Sequence, residues 1–141
     1  MRGFFGIGIY HPKRKVNVGT LWRTANILGA AFLFTIKGRY KKQSSDTMKS
    51  YRHIPLYHFD DFDDFRKHLP YQCRVVGIEQ SPKAGNLKDF YHPEQACYIL
   101  GAEDYGLPPG ILEQCHHIIK LKGFYSMNVA VAGSIVIYHR V

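Results

Sequence analysis

Acidic side chains are almost missing from the first part of this chain: residues 1–54 contain eleven Lys and Arg but a single acid, Asp46. The other 87 residues carry eight basic and ten acidic side chains, so the net charge of +8 belongs to one end. Long apolar runs are lacking too. None approaches the roughly 20 residues that cross a bilayer, and Met1-Arg2-Gly3-Phe4-Phe5 leads into a strand-like segment without a cleavage pattern. The expectation is a soluble, cytoplasmic protein with no membrane partner. Cysteine is sparse. Cys73, Cys97 and Cys115 form no C-x-x-C pair and are read as reduced thiols in or near the core, neither a disulfide framework nor a metal site. Of eight histidines only His116 and His117 are adjacent, so no metal is expected. The chain has no G-x-G-x-x-G after a strand, no phosphate loop ending in Gly-Lys-Ser/Thr and no G-x-S-x-G elbow. Those absences speak against a nicotinamide-dependent dehydrogenase, a nucleoside triphosphatase and a serine hydrolase.

What is present is an alternation of apolar strands and amphipathic segments. Phe4–Tyr10 reads as a buried strand, followed by a helix from about Val18 to Leu28 with Asn17 as its cap and Gly29 as its stop. Further strands are expected at 31–36, 54–59, 74–79, 96–100 and 118–121. Helices are expected after Asp60, over 109–115, and from Ser126 to about Arg140. Asp60, Asp61, Asp63 and Asp64 read as a solvated charge run that starts a helix. A chain of 141 residues suits one domain, here 1–141, and near-continuous apolar strands imply an α/β fold, a mainly parallel sheet with helices on both faces.

The basic residues fall into two clusters, Lys13-Arg14-Lys15 and Lys37-Gly38-Arg39-Tyr40-Lys41-Lys42, each directly after an apolar strand. Both are expected in loops at one edge of the sheet. Two clusters with an interleaved tyrosine favour a nucleic acid over mere solvation. Neither sits on an amphipathic helix, which disfavours a membrane surface.

Three short clusters carry the chemistry. Asn17-x-Gly19-x-x-x-Arg23 sets an amide and a guanidinium at a helix entrance, where Asn17 is either an ordinary cap or a ligand, and Arg23 either solvated or a phosphate holder. Gly101-Ala102-Glu103-Asp104-Tyr105-Gly106-Leu107-Pro108-Pro109 is a rigid turn after a strand, equally fit to lead into a helix or to wrap a small polar ligand. Ser126-Met127-Asn128 opens the last helix, and the small residues Ala130, Ala132, Gly133 and Ser134 behind it suit close packing, including an intersubunit contact. All three lie where strands end, the usual place for ligands in open α/β sheets.

In that order the clusters resemble the three motifs of the SpoU-type branch of the SPOUT superfamily, RNA ribose 2′-O-methyltransferases that use S-adenosylmethionine. The match rests on Asn17, Gly19 and Arg23, then Gly101, Glu103, Gly106 and Leu107, then Ser126, Asn128, Val129, Ala130 and Ala132, and the resemblance spans Gly6 to Tyr138. It implies a C-terminal trefoil knot, which periodicity alone would never predict, and a homodimer. It also implies that adenosine is held after three strands, at Ile78, Glu79 and Gln80, at Leu100, Gly101, Glu103 and Gly106, and at Ile119 and Leu121, with Met127 close by. Arg23, Asn17, Glu103, Ser126 and Asn128 are the implied catalytic set, with Arg23 on the target phosphate and ribose. Lys13, Arg14, Lys15, Arg23, Arg39, Lys41 and Lys42 are the expected RNA contacts, and no metal is implied. Two departures stand out: Met127 replaces a leucine, and Lys120-Leu121-Lys122-Gly123 replaces a more apolar stretch. Without an extra RNA-binding domain in this sequence, the catalytic domain is expected to grip RNA itself, tRNA first and rRNA second. A non-catalytic RNA binder that keeps the fold and a base-methylating relative are the competing readings.

Overall fold

The structure, a computed structural model, describes residues 2–38, 53–123 and 127–141. Among the described residues seven strands form one sheet: β1 (Phe4–Tyr10), β2 (Phe32–Ile36), β3 (Leu56–Phe59), β4 (Arg74–Ile78), β5 (Gly85–Asn86), β6 (Gln95–Leu100) and β7 (His117–Lys120). Their order is β3-β2-β1-β6-β4-β7-β5, and every pairing is parallel. Parallel strands need both faces covered. Helices α1 (Lys15–Ile27) and α4 (Val129–Arg140) cover one face, where Leu21, Trp22 and Ala25 meet Ile7, Tyr98, Val136 and Ile137. On the other face α2 (Phe62–Lys67) and α3 (Pro109–Leu112) place Phe65 and Ile111 against Phe34, Cys97 and Ile99. The expected α/β class is the one observed.

Local chemistry moves several expected boundaries. Helix α1 begins at Lys15 with Arg14 in the cap position, so Asn17 lies inside the first turn and is 4% exposed. Its side chain is thus free of capping duty. Asp61, not Asp60, caps α2, its carboxylate accepting from the Asp64 amide at 2.7 Å. Asn128 caps α4 by accepting from the amides of Ala130 and Val131 at 2.9 and 3.2 Å, so the helix opens at Val129 rather than at the expected Ser126. Helix α3 stops at Leu112, three residues short of expectation, and β7 starts and ends one residue early. Strands do not alternate with helices throughout: only the two-residue β5 and a single 3-10 turn, Leu87–Asp89, separate β4 from β6.

Arg140 shows how the last helix is pinned. Its guanidinium, 6% exposed, donates to the carbonyls of Pro93 at 2.6 Å and Glu94 at 2.8 Å and to the Tyr98 hydroxyl at 3.1 Å, and packs over the Phe5 ring. Such a buried charge is tolerable because oxygens surround it. The small residues of α4 face inward: a side chain at Gly133 would meet Leu21, Leu100 and Ile7. Ala130, Ala132 and Gly133 thus pack closely within the chain, as expected of small residues there, while Ser134 is half-buried. The outward face of α4 presents Val131, Ile135 and Tyr138 instead. The three cysteines are free thiols, as expected; the hydrogen bond with the Cys73 thiol, 3.2 Å away, and then burial push Cys97 up.

Candidate functional site

A parallel sheet collects the C-terminal ends of all its strands at one edge, so the loops after β1, β6, β4 and β7 share that edge here. A pocket of about 310 Å³ opens there. Its walls come from Ile78, Glu79 and Gln80 after β4, from Leu100 through Gly106 after β6, and from Lys120 and Leu121 after β7. Met127, Val129 and Ala132 close it. Nine of the ten residues expected to hold a cofactor line it. The exception is Ile119, which is 1% exposed within the sheet and offers only its carbonyl, to the Glu79 amide at 3.0 Å. Ala102, Asp104 and Tyr105, within the turn read as able to wrap a small ligand, also line it, together with Lys120 and with Val129 and Ala132 of the third motif.

The turn after β6 is held by two glycines and one glutamate. A Cβ at Gly101 would stand 2.3 Å from the Gly106 carbonyl carbon, so the chain folds back onto itself only because that atom is absent. Gly106 has φ +70°, and a Cβ there would collide with the Glu79 carboxylate. Glu79 accepts from the Leu107 amide at 2.7 Å and from the Gln80 amide at 3.0 Å, tying β4's end to the turn. Gln80 in turn donates to the Leu121 carbonyl at 2.7 Å, tying β4's end to that of β7. Three strand ends thus form one rigid rim.

A chain of hydrogen bonds joins the three sequence clusters. Asn17 Nδ2 donates to Glu103 Oε1 at 2.8 Å, and Asn128 Nδ2 donates to Asn17 Oδ1 at 3.0 Å. These residues are 86 and 111 positions apart in the sequence. Glu103 also accepts from the Lys13 amide at 3.1 Å. Burial pushes the Glu103 carboxyl up, but the Asn17 amide and backbone N–H groups outweigh it and hold it below its ordinary value. The carboxylate is therefore ionised at the pocket rim.

The expected basic contacts are divided. Arg14 and Lys15 are exposed beside the pocket edge, whereas Lys13 makes an ion pair with Asp104 at 2.5 Å. That bond raises Lys13 and lowers Asp104 from their ordinary values. Lys37, at the end of β2, lies over the Tyr10 ring on the same edge, as the two-cluster reading expected. Arg23 sits on α1, half-buried, and does not line the pocket. Ser126, Arg39, Lys41 and Lys42 lie outside the described residues. Among the described residues no group of His, Cys, Asp and Glu has a metal-holding arrangement, and no helix is long and apolar enough to cross a membrane.

A second, shallower groove crosses the outer surface of α1 and α4. Thr24, Ile27, Leu28, Leu87, Ile135, Tyr138, His139 and Val141 line it. Ile27, Tyr138 and Val141 are each more than half exposed.

Comparison with known proteins fits this geometry. The chain is 26% identical over 136 residues to the mouse (Mus musculus) tRNA (guanosine(18)-2′-O)-methyltransferase TARBP1, a match covering 89% of this chain and 8% of that much longer protein. A solved structure addressing 2-OH methylation of C/U34 on tRNA superposes with a TM-score of 0.82 and 26% identity, covering 96% of this chain and 93% of that one. The AviRb SpoU methyltransferase of Streptomyces viridochromogenes, solved with AdoMet, superposes with a TM-score of 0.84 at 18% identity, over 99% of this chain and 57% of that one. Residues 5–138 match the model of the SpoU rRNA Methylase family, and with its three motifs joined at one pocket, this chain belongs to that family.

Proposed function

We propose that this protein transfers the methyl group of S-adenosylmethionine to a ribose 2′-hydroxyl of RNA, with tRNA ahead of rRNA as substrate. The observation that carries this reading is the hydrogen-bonded chain Glu103–Asn17–Asn128 at the rim of the strand-end pocket. Nothing in ordinary folding requires three distant polar side chains to converge there. Two of the relatives bear names that describe 2′-hydroxyl methylation of tRNA, which supports ribose and tRNA together.

The pocket suits the methyl donor. Its apolar walls, Ile78, Leu100, Leu121 and Val129, fit an adenine ring, and the backbone groups at three strand ends supply donors and acceptors for its edge. When bound, the donor supplies a methyl group activated by its positive sulfur. The remaining task is positioning: the ribose oxygen must lie in line with that methyl and lose its proton. Arg23 is read as the residue that meets the target phosphate and ribose. Because a guanidinium stays protonated in proteins, a phosphate oxygen or water takes the proton while Arg23 stabilises the charge. Asn17, Glu103, Ser126 and Asn128 frame the site. The basic segment Lys13-Arg14-Lys15 and the stretch around Arg39, Lys41 and Lys42 are its RNA grip.

The same reading includes a homodimer formed through the outer groove of α1 and α4, whose exposed Ile27, Tyr138 and Val141 would then be covered. It includes the C-terminal knot, with which the place of β7 between β4 and β5 is compatible, and a cytoplasmic setting. Incubating the protein with methyl-labelled S-adenosylmethionine and RNA, then digesting to nucleosides for mass spectrometry, tests the central claim. Label is expected on ribose in tRNA, abolished by Arg23→Ala with donor affinity nearly intact. Label on a base, or an active Arg23→Ala protein, overturns it.

A further inference from the structure

Tyr105 is an aromatic ring at the mouth of the pocket, 56% exposed, yet held in place. Its hydroxyl is hydrogen-bonded to His11 Nδ1 at 2.5 Å. His11 itself is fixed: it adopts φ +51°, a left-handed conformation uncommon outside glycine, and its amide donates to the Ile36 carbonyl at 2.6 Å. The Lys13 ammonium lies 5.8 Å from the Tyr105 ring centroid, anchored by Asp104. An ammonium has three donors, so Lys13 retains two for another acceptor. The result is a rigid π-face with a cation at its side, on the flank of the pocket nearest the basic loop.

That combination fits a nucleotide better than it fits the methyl donor. A nucleotide offers a flat base for the ring and, one ribose away, a phosphate for the ammonium. The donor, whose sulfur and amino group are positive, offers Lys13 only its carboxylate, which the ribose and the methionine chain separate from its flat adenine, so base and anion do not adjoin as they do in a nucleotide. A ribose placed at the pocket also forces its own base, or its neighbour's, out of the helical stack, and splayed bases are commonly stacked on aromatic side chains. Resting on the RNA-methylating reading above, we propose that Tyr105 is the stacking platform for a nucleobase at or beside the methylated ribose, and that Lys13 holds the adjoining phosphate. Tyr105 then selects by shape and stacking and takes no part in the bond changes.

The test uses the full chain, methyl-labelled S-adenosylmethionine and unfractionated tRNA from cells that lack the protein. Four proteins are compared: the parent, Tyr105→Ala, Tyr105→Leu and Tyr105→Trp. Because one stacked base accounts for a large share of single-strand affinity, Ala and Leu should raise KM for tRNA about 5- to 150-fold, whereas Trp restores it. The dissociation constant for S-adenosylmethionine, read by calorimetry, should stay within about twofold in all four. A Leu variant as good as Trp shows an apolar wall only and overturns the proposal. So does a defect that appears in donor affinity with KM for tRNA unchanged, which assigns the ring to the donor. A parent protein that binds S-adenosylmethionine but methylates neither tRNA nor rRNA overturns the underlying reading, and this inference with it.

Discussion

Asn17 is the joint between the three clusters, and two substitutions there separate its structural contribution from its charge environment. Asn17→Ala removes a donor to an ionised carboxylate at 2.8 Å and an acceptor for the Asn128 amide at 3.0 Å. A hydrogen bond to a charged group contributes about 1.5–3 kcal/mol and a neutral one about 0.5–1.5. Glu103 keeps the Lys13 amide and admits water, so the net loss should be about 2–3 kcal/mol, or roughly 6–9 °C in Tm for a chain of this size. Asn17→Asp has nearly the same shape but points a carboxylate at Glu103. Either carboxyl must then bind a proton more tightly folded than unfolded, so stability falls as pH rises through that elevated value. The Asp variant should therefore be less stable than the Ala variant at pH 8 and approach or exceed it at pH 5, where a protonated Asp again donates. Urea titrations at both pH values, at one fixed protein concentration, measure this. If both variants stay within about 0.5 kcal/mol of the parent, or the Asp deficit is the same at pH 5 and pH 8, the proposed joint does not exist.

Gly101→Ala should abolish donor binding while leaving most of the sheet intact, because the added Cβ would lie 2.3 Å from backbone of Gly106 and the turn cannot close; calorimetry with S-adenosylmethionine reads the loss, and normal binding would refute the packing argument. His92 tests acid stability. Burial first, then His139 and Arg140, lower it from 6.5 to about 4, so the unfolded chain binds more protons across that window and stability declines as pH drops through it. Full burial would make this about 3 kcal/mol, and screening of a half-exposed ring reduces it to about 1–2. The parent's loss of stability between pH 7.5 and 4, followed by urea titration, should exceed that of His92→Gln by this amount, and parallel pH profiles would exclude it. Lys13→Ala should weaken RNA binding and lower the slope of log affinity against log salt by about 1, as one phosphate contact requires. An unchanged slope would mean that Asp104 alone occupies that ammonium.

The class of fold was readable because parallel strands buried on both faces must be continuously apolar. Phe4–Tyr10 matched its strand to the residue, and strands β2, β4 and β6 differed from expectation by one residue at one end. Boundaries failed where the local code is degenerate. Asp60 and Asp61 are equally good caps by composition, and only the reach of one carboxylate to the Asp64 amide decides between them. Two-residue β5 has no periodicity to detect; pairing with β7 alone makes it a strand. The order of the strands lay beyond any local signal, since β1 pairs with β6 across most of the sequence.

The site followed a different logic, and Asn17 shows why. Read locally, an asparagine before an apolar helical segment is a cap, because caps are what asparagines at such places usually are. That inference assumes that a side chain serves the nearest backbone. Here the helix starts two residues earlier, and Asn17's amide, nearly inaccessible to water, reaches partners 86 and 111 residues away. A buried amide must be satisfied, and it is satisfied by the two other clusters rather than by its own turn. Lys13 makes the complementary point about charge. Composition counts it among cations open to a polyanion, yet the fold pairs it with Asp104 beside the pocket, so RNA can engage it only by sharing that ammonium with the loop that lines the pocket. Charge counted along a sequence locates the partner's approach; only the folded arrangement says which cations are committed before the partner arrives.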